Sequence, residues 1–448
     1  MYKKLLKLAG VSSLAASLLL AGCGKDSSSA SSTTKDKAAK TESDEKVTIT
    51  FWDDNAGPQR TPIWEKIIKD FEAKNPNITV DYVGLPKDSS KSKYDTAIAA
   101  NDTPDVAIVY PQWIPEFVMR GALLPLDSYF NKWDEKGKID AGSIKFNKDI
   151  APDKKLYAVS FSQNQDILWV RPDLFKAANV KIPETWDEFF TAAEKMTDPS
   201  KNVYGFTLRG GVGGSFQLQR MMYAYSGITD YMKNGKSTIN DPKHVEFLKK
   251  YLGMYKKYTP QSDINADYKT MMATFGTGIA AMVQHNIGSY GENAKAFKPE
   301  QFQAIPLPAS MKGNYVAEGG NTVGLGIFKG TKHADDAWKF IAFVNSKESQ
   351  SYWNQQAGQI PTNSDTFGED WVKQAPHIQT AANVYSNPKT KLYIPPFYLP
   401  EYSTILNTVV DPGVQEVLSG KKTVEQFLDE WANALNEAQK KYDEHMKK

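Results

Sequence analysis

Few of the residue patterns that covalent catalysis needs occur in this sequence. The closest approach to the serine-nucleophile pattern G-x-S-x-G is NIGSYG at 286–291, which lacks the glycine two residues before its serine. H-E-x-x-H and G-x-x-x-x-G-K-[ST] are missing, and GGVGG at 210–214 lacks the lysine of a phosphate-binding loop. The acidic doublets at 53–54, 187–188 and 335–336 are poor catalytic dyads, because neighbouring side chains on a strand or helix point in different directions. Two distant carboxylates could still meet in the fold.

Aromatic residues suit a different kind of chemistry, which is binding. The chain has 10 Trp, 22 Tyr and 21 Phe. Sugar rings have apolar C–H faces that stack on aromatic rings and hydroxyl groups that need polar partners, so a surface of aromatic, carboxylate and amide groups suits carbohydrate. Most of these rings must fill the core, and only those in loops and at strand ends are candidates for ligand contact.

Charge and cysteine content exclude other functions. The 448 residues carry 54 Lys+Arg and 52 Asp+Glu, a formal net charge of +2. Phosphate backbones require a concentrated excess of basic residues, so nucleic acid is not an expected partner. Cys23 is the single cysteine, so no intramolecular disulfide can form, and the five histidines are scattered. We expect neither a metal nor a cofactor. The length predicts two or three domains.

The first 23 residues have the features of a secretory signal. Three lysines precede an apolar stretch that ends in small residues and is too short for a stable membrane span. LAGC at 20–23 resembles the bacterial lipobox, whose cysteine is acylated and becomes the new N-terminus. We therefore expect a signal peptide over 1–22 and two lipid anchors on Cys23. The alternative is an ordinary signal peptide with a chance cysteine.

The segment 23–46 is predicted to be a tether. After Cys23 it consists almost entirely of Ser, Thr, Ala, Lys, Asp and Glu, which cannot bury enough apolar surface to fold. The folded body then begins near Val47, held by lipid at the extracytoplasmic face of the bacterial cell membrane.

Beyond the tether, strand patterns alternate with helix patterns. VTITF at 47–51 alternates apolar and polar residues, and further strands are predicted at 78–83, 105–110, 167–170, 279–283 and 323–328. A helix that Pro76 ends follows the first strand, and another is predicted at 94–100. Alternation of strand and helix predicts a parallel sheet covered by helices on both faces. The apolar stripe of the first helix consists of Ile63, Trp64, Ile67, Ile68 and Phe71.

Two helix starts have the capping-box pattern. Thr185 precedes Glu188 by three residues, and Thr423 precedes Gln426 by three. In each pair the side chain of the first residue can accept a hydrogen bond from the backbone N–H of the second, and the side chain of the second can accept one from the backbone N–H of the first. Helices are therefore predicted to begin just after residues 185 and 423.

Six segments, in this order along the chain, resemble the extracellular solute-binding proteins of ABC transporters, in the family 1 group that includes maltose-binding and multiple-sugar-binding proteins. The resemblance extends over nearly all of 47–442. Its segments are VTITFWDD with FEAKNPNITV, TPDVAIVYPQWIPEFVMRGALLPLDSYF, KLYAVSFSQNQDILWVRPDLFKAANVKIPETWDEF, GTGIAAMVQHNIGSY, GGNTVGLGIFKGTKHADDAWKFIAFV and VLSGKKTVEQFLDEWANAL.

This resemblance implies a two-lobed α/β fold of the type II periplasmic-binding-protein class. Each lobe would be a mixed, mostly parallel sheet flanked by helices, with a hinge that closes the lobes on a ligand. Lobe one would take 47–161 and 309–360, and lobe two 162–308 and 361–448. The chain would cross near 160–164, 305–308 and 359–363.

The resemblance also implies which residues line the cleft. The loops after the first and third strands are supported independently, because ligands collect at the carboxyl ends of strands in open α/β sheets. Where family members commonly have a tryptophan, this chain has Tyr290, which weakens or redirects stacking there. The expected ligand-binding residues are Trp52, Asp53, Asp54, Gln59, Arg60, Tyr110, Trp113, Asn164, Gln165, Gly213, Gly214, Phe216, Asn286, Tyr290, Glu318, Gly320, Asn321, Tyr393, Phe397, Tyr398 and Tyr402.

The leading hypothesis is therefore a monomeric, lipid-anchored binding protein without catalytic activity. It would capture a carbohydrate, in particular an oligosaccharide, and deliver it to the transmembrane subunits of an ABC permease. One alternative is a surface-anchored glycoside hydrolase, which requires two carboxylates flanking the sugar bond. Another keeps the binding role but changes the ligand to a polyol, a glycerophosphodiester or a peptide. A phosphate ligand calls for more basic residues in the cleft than Arg60 and Arg209 provide.

Overall fold

The computed structural model describes residues 46–447. The predicted signal peptide at 1–22, the lipidation of Cys23 and all but the last residue of the tether lie outside this range. None of the helices within 46–447 is long and apolar enough to cross a membrane.

The strands are short, and most are separated by helices. They are β1 (Val47–Asp53), β2 (Ile78–Gly84), β3 (Val106–Val109), β4 (Val159–Gln163), β5 (Asp166–Val170), β6 (Met232–Lys233), β7 (Lys236–Ser237), β8 (Met282–Asn286), β9 (Gln303–Ile305), β10 (Val316–Glu318), β11 (Thr322–Ile327), β12 (Ile360–Pro361) and β13 (Lys391–Tyr393).

The helices range from single turns to the long C-terminal helix. They are α1 (Thr61–Lys74), α2 (Lys87–Ala100), α3 (Ile114–Met119), α4 (Asp127–Lys132), α5 (Ala141–Ile150), α6 (Pro172–Ala177), α7 (Trp186–Lys195), α8 (Gly214–Ser226), α9 (Pro242–Leu252), α10 (Tyr268–Gly276), α11 (Tyr290–Ala296), α12 (Ala334–Val344), α13 (Lys347–Ala357), α14 (Asp370–Gln374), α15 (Pro376–Ser386), α16 (Tyr402–Ile405), α17 (Asp411–Leu418) and α18 (Val424–Met446).

The larger sheet has six strands in the order β12-β4-β11-β3-β1-β2. β1 pairs in parallel with β2 and β3, whereas β11 runs antiparallel to β3 and β4. One face is covered by α1, α12 and α13, whose Trp64, Phe340 and Trp353 pack with Phe51 of β1. On the other face Tyr94 of α2 packs in a second core cluster. The predicted strands, the apolar stripe of α1 and the helical cover of both faces are confirmed.

The smaller sheet has three strands in the order β8-β5-β9. Both pairings of β5 are antiparallel, as are three of the five pairings in the larger sheet, which differs from the mostly parallel sheet expected in each lobe. β5 runs away from the first sheet while β8 and β9 run back toward it, so neither can pair with β5 in parallel. The bridges Tyr204–Ala280 and Thr207–Val283 are parallel contacts beside this sheet. β8 begins at Met282, later than predicted, because the chain at 279–281 is turn and bridge.

The chain passes between the two sheets three times. β4 leads into β5 through Asn164 and Gln165, the chain returns between β9 and β11, and after β12 it leaves for α15, which packs on β9. β10 also pairs with β13, so the start of the segment 309–360 contacts the C-terminal region. The lobe boundaries 47–161 with 309–360 and 162–308 with 361–448 remain predictions.

Local signals at two helix starts are confirmed. Thr185 and Glu188 form both hydrogen bonds of a capping box at α7, and Thr423 and Gln426 form both at α18. α18 buries Phe427, with other apolar residues of one face, in the core cluster that continues into the second sheet. The C-terminal helices therefore pack with the second half of the molecule.

Candidate functional site

A cleft lies where the carboxyl ends of β1 and β3 face the second half of the chain. It encloses about 210 Å³ and is lined by residues from both sides of the crossing between β4 and β5. A neighbouring cavity encloses about 20 Å³ and shares Arg220, Glu318 and Asn321 with it. The larger cavity is the candidate ligand site.

Many of the residues expected to bind a ligand line this cavity. Trp113 packs edge-on against Tyr110, with ring centroids 4.9 Å apart, so two aromatic surfaces meet on one wall. Phe216 and Phe397 lie on the other side of the cleft. The expected residues that line the cavity are Arg60, Tyr110, Trp113, Asn164, Gly213, Phe216, Asn286, Glu318, Gly320, Asn321 and Phe397.

The two aspartates at the carboxyl end of β1 do not line the cavity. Asp53 and Asp54 are only 2% and 1% exposed. Asp53 accepts the Tyr82 hydroxyl at 2.9 Å, and burial followed by the charge of Asp54 raises the pKa of Asp53 to about 6. Asp54 accepts from Lys87 at 2.5 Å. Both carboxylates are therefore bound to other side chains of the protein, and Asp54 contacts the cleft only indirectly, through its partner Lys87, which lines the cavity.

Trp52, Gln59 and Gly214 also lie off the cavity lining. The Trp52 ring packs on Tyr94 with centroids 5.6 Å apart, and Gln59 is exposed outside the cavity. At Gly214 a Cβ atom would lie 2.1 Å from the Arg209 carbonyl oxygen, so glycine is needed for the backbone at 214 to pass this close to the backbone at 209. The ligand roles of these three residues remain predictions, since none of the three lines the cavity.

Five further candidates are held by packing. Gln165 and Tyr393 line the smaller cavity instead, and the Tyr393 hydroxyl donates to Glu318 at 3.1 Å. Tyr290 stacks on a histidine of α15 at 4.0 Å, which turns its ring away from the ligand cavity. Tyr398 donates to the Gln439 side chain on α18, and Tyr402 is buried in the core.

Sequence reasoning missed several lining residues on helices and inner strands. Lys87, Asp88 and Lys91 follow β2, so the rule that placed the loops after β1 and β3 at the site would also have found them. Residues of α8, α10 and β8 carry no comparable signal. Arg209, which was expected in the cleft as a basic residue, lines it. The missed lining residues are Asn55, Lys87, Asp88, Ser90, Lys91, Gln112, Val212, Gln217, Arg220, Tyr268, His285, Gly288, Thr322, Gln359, Ser403 and Asn407.

One ion pair crosses the cleft. Arg209, in the loop before α8, donates to Asp88 of α2 at 3.1 Å, with the side chains 11% and 29% exposed. On the Asp88 side, Lys87 bonds to Asp54 and to the Tyr110 hydroxyl at 2.9 Å. Burial opposes the Lys87 charge, but Asp54 and Tyr110 hold the pKa of Lys87 above its ordinary value. The Tyr110 side chain on the aromatic wall is therefore held in place by the hydrogen bond from Lys87.

A buried charge cluster closes the inner end of the cleft. Arg220 of α8 contacts Glu318 at 2.8 and 3.0 Å and Asp166 at 3.1 Å. Burial opposes the charge on Arg220, but the two carboxylates hold its pKa well above the ordinary value. Burial raises the pKa of Asp166 despite the arginine. The lining carboxylates Asp88 and Glu318 are therefore both bound to guanidinium groups.

Amide groups without protein partners converge beside Gly288. A Cβ atom there would lie 3.1 Å from Gln359 Nε2 and 3.3 Å from Asn164 Oδ1. Both atoms are buried and have no hydrogen-bond partner among residues 46–447. The Trp353 indole N–H donates to Gln359 Oε1 at 3.1 Å, which directs the Gln359 amino group away from the indole. A donor and an acceptor are thus available to a ligand.

His285 is the histidine that lines the cavity. Burial, followed by the charges of Arg209, Arg220 and Arg60, lowers its pKa well below the ordinary value, so the imidazole is neutral at neutral pH. No group of three or more His, Cys, Asp or Glu side chains in the described part of the chain could hold a metal ion. The site offers aromatic faces, amides and paired charges.

Comparisons with known proteins show the family of this chain. Residues 57–351 match the family described as bacterial extracellular solute-binding protein. The multiple sugar-binding protein of Streptococcus mutans is 26% identical over 371 residues, which cover 79% of this chain and 81% of that protein.

Solved structures show the same fold. A solute-binding protein from Agrobacterium vitis with bound D-mannitol has a TM-score of 0.70 and 28% identity, covering 90% of this chain and 98% of that chain. One from Thermotoga lettingae bound with alpha-D-tagatose has a TM-score of 0.76 and 22% identity, covering 88% and 100%. The predicted two-lobed, type II periplasmic-binding-protein fold is confirmed.

Proposed function

Because the chain belongs to the bacterial extracellular solute-binding protein family, we propose that it is the binding component of an ABC importer and takes a carbohydrate, in particular an oligosaccharide, into its cleft. The protein would function through a difference in ligand affinity between its open and closed states, without making or breaking a covalent bond. The names of relatives and of bound molecules in similar structures support a ligand with several hydroxyl groups.

The observation that carries this proposal is the pairing of aromatic walls with unpartnered amides. Tyr110, Trp113 and Phe216 supply apolar faces for sugar C–H groups. Asn164 Oδ1 and Gln359 Nε2 supply a buried acceptor and donor. Since buried polar groups are almost always hydrogen-bonded, these atoms favour a ligand whose hydroxyls both donate and accept.

A binding role is favoured over a glycosidase by the state of the carboxylates. A glycosidase uses one carboxyl group to donate a proton and another as nucleophile or base, on either side of the sugar bond. Asp88 is held by Arg209 and Glu318 by Arg220. In each pair the guanidinium group occupies carboxylate oxygen that either role would need free to face the sugar.

We further propose that the protein is a monomer anchored through lipid on Cys23, with the transmembrane permease subunits as its partner. The lipobox-like LAGC at 20–23 and the following polar segment support this anchor. Changing Cys23→Ser should move the protein from the membrane fraction to the medium, with no change in its sugar affinity. Retention of this variant in washed membranes would contradict lipid anchoring.

A thermal-shift screen of the full chain in detergent tests the binding function. Monosaccharides, oligosaccharides and polyols serve as probes. A ligand at 100 times its dissociation constant adds about 2.7 kcal/mol to the free energy of unfolding, which raises Tm by several degrees. A shift with an oligosaccharide that is recovered uncleaved supports the proposal. Cleavage products would favour the glycosidase, and a flat screen would argue against carbohydrate.

Variants locate the binding site once a sugar is found. Asn164→Ala removes an acceptor that has no protein partner and should weaken binding by about threefold to tenfold. Asn77→Ala, at an exposed position after α1, is the matched control and should bind like the wild type. Equal affinities for the two variants would place the sugar elsewhere.

A further inference from the structure

Five cationic side chains line the cleft, and four of them are bound to carboxylates. Lys87 contacts Asp54 at 2.5 Å, and Lys91 contacts Asp95 and Glu116 at 2.7 and 2.8 Å. Arg209 pairs with Asp88, and Arg220 pairs with Asp166 and Glu318. These cations are compensated by the protein itself.

Arg60 is the exception. Its side chain makes no ion pair and donates no hydrogen bond to any residue in 46–447. The guanidinium carbon lies 5.6 Å from the ring centroid of Trp353, which is 1% exposed. Asp53 and Glu292 are close enough to act on Arg60 electrostatically, but both lie beyond ion-pair distance and accept tyrosine hydroxyls. A half-buried positive charge therefore lines the cavity without an ion-pair partner among residues 46–447.

A second donor without an acceptor contacts the same indole. Trp353 Nε1 donates to Gln359 Oε1, and the Gln359 Nε2 group is buried and unpartnered. Arg60 and Gln359 thus present N–H donors around Trp353, both on the lining of the cavity. Guanidinium donors match the geometry of a carboxylate, which accepts two parallel hydrogen bonds.

We propose that the ligand of this cleft is an anionic carbohydrate whose single negative charge, the carboxylate of a uronosyl unit, is bound by Arg60 with help from the Gln359 amide. The inference rests on the proposed carbohydrate function and narrows its substrate class. A neutral hydroxyl could accept from Arg60, but it would leave the guanidinium group without a direct ion-pair partner as the cleft closes. A phosphodiester has the same charge of −1 and is the other source of this chemistry.

The test compares oligosaccharides that differ only in charge. Oligosaccharides that carry one glucuronate, galacturonate or mannuronate unit are titrated against the full chain in detergent at low salt, each beside its methyl ester. Glycerophosphocholine serves as the phosphodiester probe, and maltotriose as a neutral sugar. Arg60→Gln removes the charge and Arg60→Lys keeps it. Lys440→Gln, on the exposed side of α18, controls for the loss of one positive charge.

The expected result is a uronate that binds at least tenfold more tightly than its methyl ester. Arg60→Gln should abolish that preference, Arg60→Lys should retain part of it, and Lys440→Gln should leave it unchanged. Arg60 precedes α1 and makes no side-chain capping bond, so these variants should unfold like the wild type.

Other outcomes overturn the inference in distinguishable ways. Binding of a neutral sugar that Arg60→Gln leaves unaltered would refute the anionic ligand while the carbohydrate function stands. Binding of glycerophosphocholine with no carbohydrate would refute the uronate and the carbohydrate function together. Cooperatively unfolding protein that binds none of the probes would likewise reject both.

Discussion

Replacing Arg220 by methionine should destabilise the protein strongly at neutral pH. Arg220, Asp166 and Glu318 have side chains only 12%, 5% and 6% exposed. Methionine preserves much of the apolar packing but leaves two buried carboxylates without their cation. Removing one partner of a buried ion pair costs about 3–5 kcal/mol, and this is the expected loss in the free energy of unfolding at pH 7.5.

The loss should shrink as the pH falls. Burial already raises the pKa of Asp166 beside Arg220, and without the arginine this pKa rises further. The folded variant then retains a proton that the unfolded chain, with an Asp pKa of about 3.9, releases. Its stability should therefore rise by up to about 1.4 kcal/mol per pH unit as the pH falls from the folded-state pKa toward about 4.

Urea denaturation of both proteins between pH 8 and pH 5, followed by circular dichroism, measures this effect. Arg120→Met is the matched control, since Arg120 is 31% exposed and its ion pairs lie at the surface, so a loss below about 1 kcal/mol is expected. An Arg220→Met loss that is the same at pH 8 and pH 5 would refute the electrostatic reasoning and point to packing.

Three further variants test other parts of the structure. Gly320→Ala should lower Tm, because Gly320 has a φ of +79° and a Cβ there would lie 2.2 Å from the Phe146 ring. The expected loss in the free energy of unfolding is about 2–4 kcal/mol, which thermal denaturation measures. Asp53→Asn should flatten the pH dependence of stability between about pH 4 and 6. The folded-state pKa of Asp53, about 6, makes the stability of the wild type fall as the pH rises through that window. Parallel plots of stability against pH for the variant and the wild type would contradict this. Asp88→Asn should weaken sugar binding by about tenfold, because it removes the negative charge that pairs with Arg209 across the cleft. Calorimetry measures this affinity, and an unchanged value would exclude a closing role for the ion pair.

Much of the fold follows from local patterns. The alternation in β1 and the apolar stripe of α1 identify elements that bury one face, and the boxes at Thr185 and Thr423 fix helix starts through contacts within four residues. The antiparallel second sheet was not predictable this way. Its pairing joins β5 with β8 and β9, more than a hundred residues further along the chain, and no local pattern encodes direction.

The site was predictable where strand ends approach the cleft. Arg60, Tyr110 and Asn164 follow directly from that rule and from family resemblance, and they line the cavity. Asp54 does not line it, because a lysine after β2 captures the carboxylate, and Arg220 was missed because its partners lie 54 and 98 residues away. Charge pairs of this kind depend on tertiary packing.

The position of β1 has a mechanical consequence for an anchored molecule. β1 has seven residues, so its first residue, Val47, lies about 20 Å from the edge of the sheet where the cleft opens. β1 is flanked on both sides by β2 and β3. A pull at the start of the body therefore acts along β1 as shear across the hydrogen bonds to its neighbours. Under the proposed anchoring through Cys23, such a pull would load the edge of the sheet opposite the cleft entrance.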